Sequence, residues 1–133
     1  MAYKPNITIF CCENSVYETV LSVNKRHSNI QVIKVPCSGK ISSIHILKCF
    51  ESGKDMVMVI TCIEEACHFI NGNIRVGKVV EATRNRLKEL DIEDKRLQIF
   101  NFAPNMEEKF HRVFKDIVLQ ASELGPIYEE GGV

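Results

Sequence analysis

The sequence lacks any excess of charge of one sign: seventeen Lys and Arg are matched by seventeen Asp and Glu. That balance argues against a general binder of the phosphate backbone, which needs surplus cations. It also gives no reason to expect docking on an acidic membrane surface. No apolar run approaches the ~20 residues needed to cross a bilayer, so no membrane span is expected. The opening Met1-Ala2-Tyr3-Lys4-Pro5 lacks the charged-then-apolar pattern of a secretory signal, and a cytoplasmic location is the expectation. In a reducing compartment the six cysteines are not read as disulfides, leaving core, metal or catalytic roles. Repeats, low-complexity tracts and interdomain linkers are missing too. The 133 residues, 45% apolar and 26% charged, suit one domain that buries roughly 70% of its unfolded surface.

What is present is an alternation of strand and helix patterns. Ile7 to Cys11 is short, β-branched and apolar, and Ile30 to Val35 alternates before Pro36 ends it. Met56 to Ile60 is a continuous apolar run, the pattern of a central strand covered on both faces. Leu97 to Phe102 is a fourth strand. Between them, helices are expected over Asn14 to His27, Ser42 to Phe50 (closed by Gly53), Arg75 to Leu90 and Met106 to Leu124. Ile63 to Ile70 reads as a short helix or turn that Gly72-Asn73 breaks. On the helix after Arg75, Val76, Val79, Val80, Thr83, Leu87 and Leu90 share one side. On the last, Phe110, Val113, Phe114, Ile117, Val118 and Ala121 do so. Four strands separated by helices predict an α/β fold: a four-stranded parallel sheet with helices on both faces, flavodoxin-like or Rossmann-like, in strand order 2-1-3-4. Residues 1–124 are expected to form this single domain, and 125–133 a flexible or partner-docking tail.

The cysteines fall at strand ends. Cys11 and Cys12 end the first strand, Cys37 follows the second, Cys62 ends the third, and Cys67 lies in the next loop. Parallel strands put all their carboxyl ends along one edge, where such folds bind ligands. With strands ~4.8 Å apart, thiols from three neighbouring ends can reach one small inorganic centre. Soft thiolates select zinc, copper(I) or an iron–sulfur cluster. Cys11 and Cys12 are adjacent, so their side chains point to opposite faces. Cys11 reads as a small hydrophobe under a helix, and Cys12 is the better ligand. Cys49, mid-helix in Leu47-Lys48-Cys49-Phe50, reads as core filler.

The elements Val35-Pro36-Cys37-Ser38-Gly39-Lys40, Ile46-Leu47-Lys48-Cys49-Phe50 and Cys62-Ile63-Glu64-Glu65-Ala66-Cys67-His68-Phe69, then Gly72-Asn73, resemble the delta subunit of methyl-viologen-reducing hydrogenase, the MvhD family. The likeness continues through Arg84 to Leu90 and Glu107 to Phe114. It implies a 2Fe–2S electron-transfer protein within a larger anaerobic oxidoreductase complex, a hetero-oligomer. Such proteins pass electrons between a donor module and the FAD- and iron–sulfur-containing flavoprotein of the heterodisulfide reductase A type. The donor can be a hydrogenase, or another module as in methylenetetrahydrofolate reductase and benzoyl-CoA reductase assemblies. The implied ligands are Cys12, Cys37, Cys62 and Cys67. One departure stands out: the family's first motif is Cys-x-x-Cys, and here Cys12 is followed by Ser15 in the second position. Zinc at the same cysteines, in a scaffold or assembly subunit, is the alternative.

Around these, His68 could hydrogen-bond a cluster sulfur or be an interface loop residue. Ser15 suits a helix cap or an oxygen ligand. Ser38-Gly39-Lys40 resembles a phosphate loop, but the full G-x4-G-K-[ST] pattern is absent. Lys40, Arg75 and Lys78 suit a docking rim or ordinary solvated charges. His27, His45 and His111 lie on helix patterns without metal spacing. A dithiol oxidoreductase, the remaining class, lacks an active-site Cys-x-x-Cys. With no substrate bond to break, the chain is expected to carry no catalytic residues.

Overall fold

The computed structural model describes residues 5–12, 17–35, 41–61, 72–102 and 105–127. Four strands, β1 (Ile7–Cys12), β2 (Ile30–Val35), β3 (Met56–Thr61) and β4 (Leu97–Asn101), form one all-parallel sheet in the order β2-β1-β3-β4. This is the expected α/β class and strand order. Helices α1 (Tyr17–Arg26), α2 (Ser43–Glu51), α3 (Gly72–Glu89) and α4 (Glu107–Leu124) alternate with the strands, and a short 3₁₀ turn, Asp94–Arg96, leads into β4. None of the described helices is long and apolar enough to cross a membrane.

Burial follows the position of each strand. β1 and β3 are central and buried at every residue, whereas the edge strand β2 is buried only at Ile30. The pleat then splits the core. Ile7, Ile9 and Cys11 of β1 and Met56, Met58 and Ile60 of β3 pack with Val20 and Val23 of α1 and Phe110, Ile117 and Ala121 of α4. On the other face Phe10, Val57, Val59 and Leu97 meet Ile46 and Phe50 of α2 and Val76, Val80 and Leu87 of α3. Two-sided covering is why the Met-Val-Met-Val-Ile run does not alternate.

Helix ends differ from expectation where the chain uses unexpected residues. α3 begins at Gly72, three residues before the expected start at Arg75. Glycine is tolerated at a helix start, where the first N–H groups lack helical partners anyway. α3 closes with Asp91 in the left-handed region, φ 60°. The Asp91 and Ile92 N–H groups donate to the Lys88 and Leu87 carbonyls, a Schellman closure normally signalled by glycine. Leu90, expected inward, sits on that reversal and is 57% exposed. Ile44 in the first turn of α2 is likewise exposed. α2 ends as expected at Gly53, φ 98°, with Gly53 and Lys54 N–H donating to the Phe50 and Cys49 carbonyls.

The amino edge of the sheet is tied by a buried arginine. Arg96, 1% exposed, donates from Nη1 to the Asp55 carbonyl (3.0 Å) and the Gly125 carbonyl (2.9 Å), and from Nη2 to the Leu124 carbonyl (3.3 Å). Its Nε meets Glu93 Oε1 at 2.8 Å. The Asp55 carboxylate accepts from the Asn6 and Ile127 N–H groups, each at 2.9 Å. Gly125–Ile127, within the segment expected to be loose or partner-docking, are therefore held to the body, and Ile127 packs on the α2–α3 core. Residues 128–133 of that segment lie outside the described residues.

Arg96→Met leaves the carbonyl of the buried Asp55 and those of the half-buried Leu124 and Gly125 without this donor. We expect a loss of about 3 kcal/mol, at ~1–3 kcal/mol per orphaned buried group, read as a lower urea midpoint at unchanged slope. The Arg96 hydrogen bond holds the Glu93 carboxyl below its ordinary range. Its stabilisation is therefore full above the unfolded pKa and lost as pH falls through the lower folded value. Acid titration of Glu93→Gln should lack that component of the acid limb.

Candidate metal centre at the carboxyl edge of the sheet

Parallel pairing brings three strand ends to one level. Cys12 at the end of β1 is opposite Val35 at the end of β2, and Cys11 is opposite Ile60, one residue before the end of β3. Thr61, the last residue of β3, is opposite Asn101, the last of β4. The sequence then places Cys37 two residues after Val35 and Cys62 one residue after Thr61. Cys37, Cys62 and Cys67 themselves, with Ser15 and His68, lie outside the described residues. So do Lys40 and the side chain of Arg75, while Lys78 is exposed.

The three described cysteines have separate surroundings. Cys11 is fully buried in the core under α1 and α4, as expected of a small hydrophobe. Its thiol reaches the Cys12 carbonyl at 3.5 Å. Burial, with a smaller contribution from the neighbouring Cys12, pushes it up to about 12. Cys12, 2% exposed, points to the opposite face by strand alternation, the face of α2 and α3. Cys49 is half-buried near the end of α2, against Thr8 close to the start of β1. Burial raises its thiol as well, and it lies at the amino edge, away from Cys12. None of the three is in a disulfide.

Electrostatics on the Cys12 face favour negative charge. Every helix runs back from the carboxyl edge, so its positive N-terminal end lies there. α1 and α4 place Glu18, Glu107 and Glu108 in their first turns, partly compensating that field. α2 and α3 carry no acidic residue in theirs, so those turns do not offset the positive ends on the side to which Cys12 points. His45 belongs to the start of α2: its Nδ1 accepts from the Ser42 N–H at 3.3 Å, a capping role that the absence of metal spacing left open.

A buried sulfur, level strand ends and two helix N-termini without an acidic residue in their first turns form a setting that an anionic, thiolate-ligated centre fits. Among the described residues no three His, Cys, Asp or Glu side chains are grouped for a metal, and Cys12 alone of the four expected ligands is among them. Sequence reasoning missed Thr61 and Asn101, whose side chains join at the same edge: the Thr61 hydroxyl donates to Asn101 Oδ1. Its signal was the position of Asn101 at the end of the fourth strand pattern. A cavity of about 320 Å³ lined by Pro5, His27, Ile30, Phe114, Lys115 and Val118 opens at the other, amino edge, away from this chemistry.

The sequence profile described as methyl-viologen-reducing hydrogenase, delta subunit, matches residues 7–125. The chain is 31% identical over 128 residues to the iron-sulfur D subunit of the F420-non-reducing hydrogenase vhc of Methanococcus voltae, covering 93% of this chain and 89% of that one. It is 29% identical over 131 residues to the corresponding vhu iron-sulfur D subunit of Methanopyrus kandleri, covering 96% of this chain and 99% of that one. It is also 29% identical over 130 residues to the A subunit of the Ferredoxin/F(420)H(2)-dependent CoB-CoM heterodisulfide reductase of Methanosarcina acetivorans. There the match takes in 95% of this chain but only 16% of the relative's length.

In chelator-treated protein the Cys11 thiol should resist alkylation at pH 8 until the chain unfolds, as peptide mass spectrometry would show. A thiol raised from 9.0 to about 12 adds stability that is full below pH 9 and lost as pH climbs toward 12. Cys11→Val should lack this alkaline loss.

Proposed function

The chain belongs to the methyl-viologen-reducing hydrogenase delta-subunit family, and from that premise we propose that it is the iron–sulfur relay of a cytoplasmic hydrogenase–heterodisulfide reductase type of complex. It would take electrons from a donor module and pass them to a heterodisulfide reductase A-type flavoprotein. The observation that carries this reading is the level ending of β2, β1 and β3, with Cys12 turned toward the α2–α3 face. The full-length relatives are named as iron-sulfur proteins of a hydrogenase, which supports the same chemistry. A segment similar to nearly the whole chain lies inside a protein named as the A component of a heterodisulfide reductase. That covalent neighbour supports a partner of the same type.

In this reading Cys12, Cys37, Cys62 and Cys67 would hold a 2Fe–2S cluster, which when bound supplies one-electron, outer-sphere transfer between two oxidation states. The chain's own work is to bind and to set the potential. Four thiolates bring negative charge that the N-terminal ends of α2 and α3 offset. The packed strands exclude water from beneath Cys12. Cys11, held as a neutral thiol in the core, takes no part, and Cys49 at the amino edge is too far from Cys12 to contribute.

Anaerobic purification of the whole chain tests the proposal. Iron and acid-labile sulfide at about two of each per chain, with a paramagnetic signal on reduction, are the expected result. Cys12→Ala, Cys37→Ala and Cys62→Ala should lose the cluster, while Cys49→Ala keeps it. Equal iron and sulfide in all four variants would end the ligand assignment. Colourless protein with stoichiometric zinc would replace the relay by a scaffold role.

A further inference from the structure

One flank of α4 carries both a knob and a hollow. Leu119 is 58% exposed, one of three large apolar side chains that stand out in solvent among the described residues. Beside it opens the cavity of about 320 Å³ at the amino edge. Its walls include Pro5 and Ile30, at the starts of β1 and β2, and Phe114, Val118 and Ser122 of α4, with the exposed Lys115. Leu119 comes four residues after Lys115 and three before Ser122, so helical spacing sets it on the flank that borders this cavity. A single surface leucine is ordinary, but one next to an apolar hollow of side-chain size makes the surface complementary to itself. The charges on α4 are ordered about the same residue. Lys115 lies four residues before Leu119 and Glu123 four residues after it, both exposed. Among the described residues neither forms an ion pair.

We propose that this flank is the interface of a two-fold symmetric homodimer, in which Leu119 of each copy fills the hollow of the other. A two-fold axis pairs a surface patch with itself, so a knob and a hollow side by side on one chain satisfy both halves of the contact. With the axis perpendicular to α4 near Leu119, the two helices run antiparallel. Lys115 then comes opposite Glu123 of the partner subunit, and the apolar contact is flanked by two ion pairs. Parallel helices would instead set Lys115 against Lys115, which charge complementarity disfavours. The contact lies toward the amino edge, which leaves the edge that carries Cys12 uncovered. The dimer needs no bound cluster and is independent of the relay reading.

The test is sedimentation velocity of the purified full chain over a concentration series. Wild type should pass from monomer to dimer in the micromolar range. Leu119→Lys acts twice in a symmetric pair and should weaken the dimer about a hundredfold, at roughly tenfold for each leucine withdrawn from its hollow. Leu119 is exposed in the single chain, so the circular dichroism of this variant should remain that of the folded protein. Lys115→Glu and Glu123→Lys each set like charges opposite one another twice, and each should weaken the dimer about tenfold. An equimolar mixture of these two variants rebuilds both ion pairs and should dimerise as wild type does. Wild type that stays monomeric at every concentration overturns the dimer, and so does a Leu119 flank that only some other protein protects. A Leu119→Lys chain that dimerises like wild type overturns this interface. A mixture no tighter than its two components overturns the antiparallel pairing.

Discussion

Everything at the carboxyl edge depends on the in-register parallel pairing of β1 with β2 on one side and β3 on the other. Parallel strands run the same way, so their carboxyl ends gather on one edge, and the intervening helices must run back with their N-termini there. One pairing pattern thus accounts for three features together: the level strand ends, the side to which Cys12 points, and the positive helix ends around it. A one-residue slip in β1 would exchange Cys11 and Cys12 between the faces. The buried core thiol would then turn toward the α2–α3 face, and the other toward α1 and α4.

A knot of polar side chains ties the opposite edge. Arg96 and Asp55 bind the start of β3, the turn into β4, the end of α4 and the chain that follows it. These hydrogen bonds are buried or half-buried, and the loss of the one to the Asp55 carbonyl is costly because that group stays buried when its partner is removed. Keeping this knot at the amino edge leaves the carboxyl edge to chemistry. The two vicinal cysteines show the same division on a smaller scale. Cys11 serves packing, with its thiol forced to remain neutral, and Cys12, one residue along, is buried on the opposite face.

Much of the fold was legible because apolar periodicity reports burial directly. The two-sided burial of Met56 to Ile60, the alternation of Ile30 to Val35 and the stripe from Phe110 to Ala121 each follow from where water is excluded. Less legible were the helix ends. Asp91 closes α3 in a conformation usually taken by glycine, so Leu90 was read as one more inward residue. Gly72 opens the same helix although glycine ordinarily interrupts one. The hold on Gly125–Ile127 left no trace in local pattern, because its partners, Arg96 and Asp55, lie 29 and 72 residues away from the groups they bind in this segment. Asn101 stood in plain view at a strand end, but its bond to Thr61 spans 40 residues.

The order of residues was enough to establish the class of the protein: alternating strand and helix periods, cysteines at the ends of strand patterns, and a balanced charge that excludes a general phosphate binder. These are local properties, readable because side-chain period and chemistry belong to neighbouring residues. Which strand ends stand level, which face Cys12 shares with Thr61 and Asn101, and the burial of Arg96 emerge only once the chain is folded. Those depend on register and on contacts between residues far apart in the chain, and no local pattern encodes a distance across a sheet.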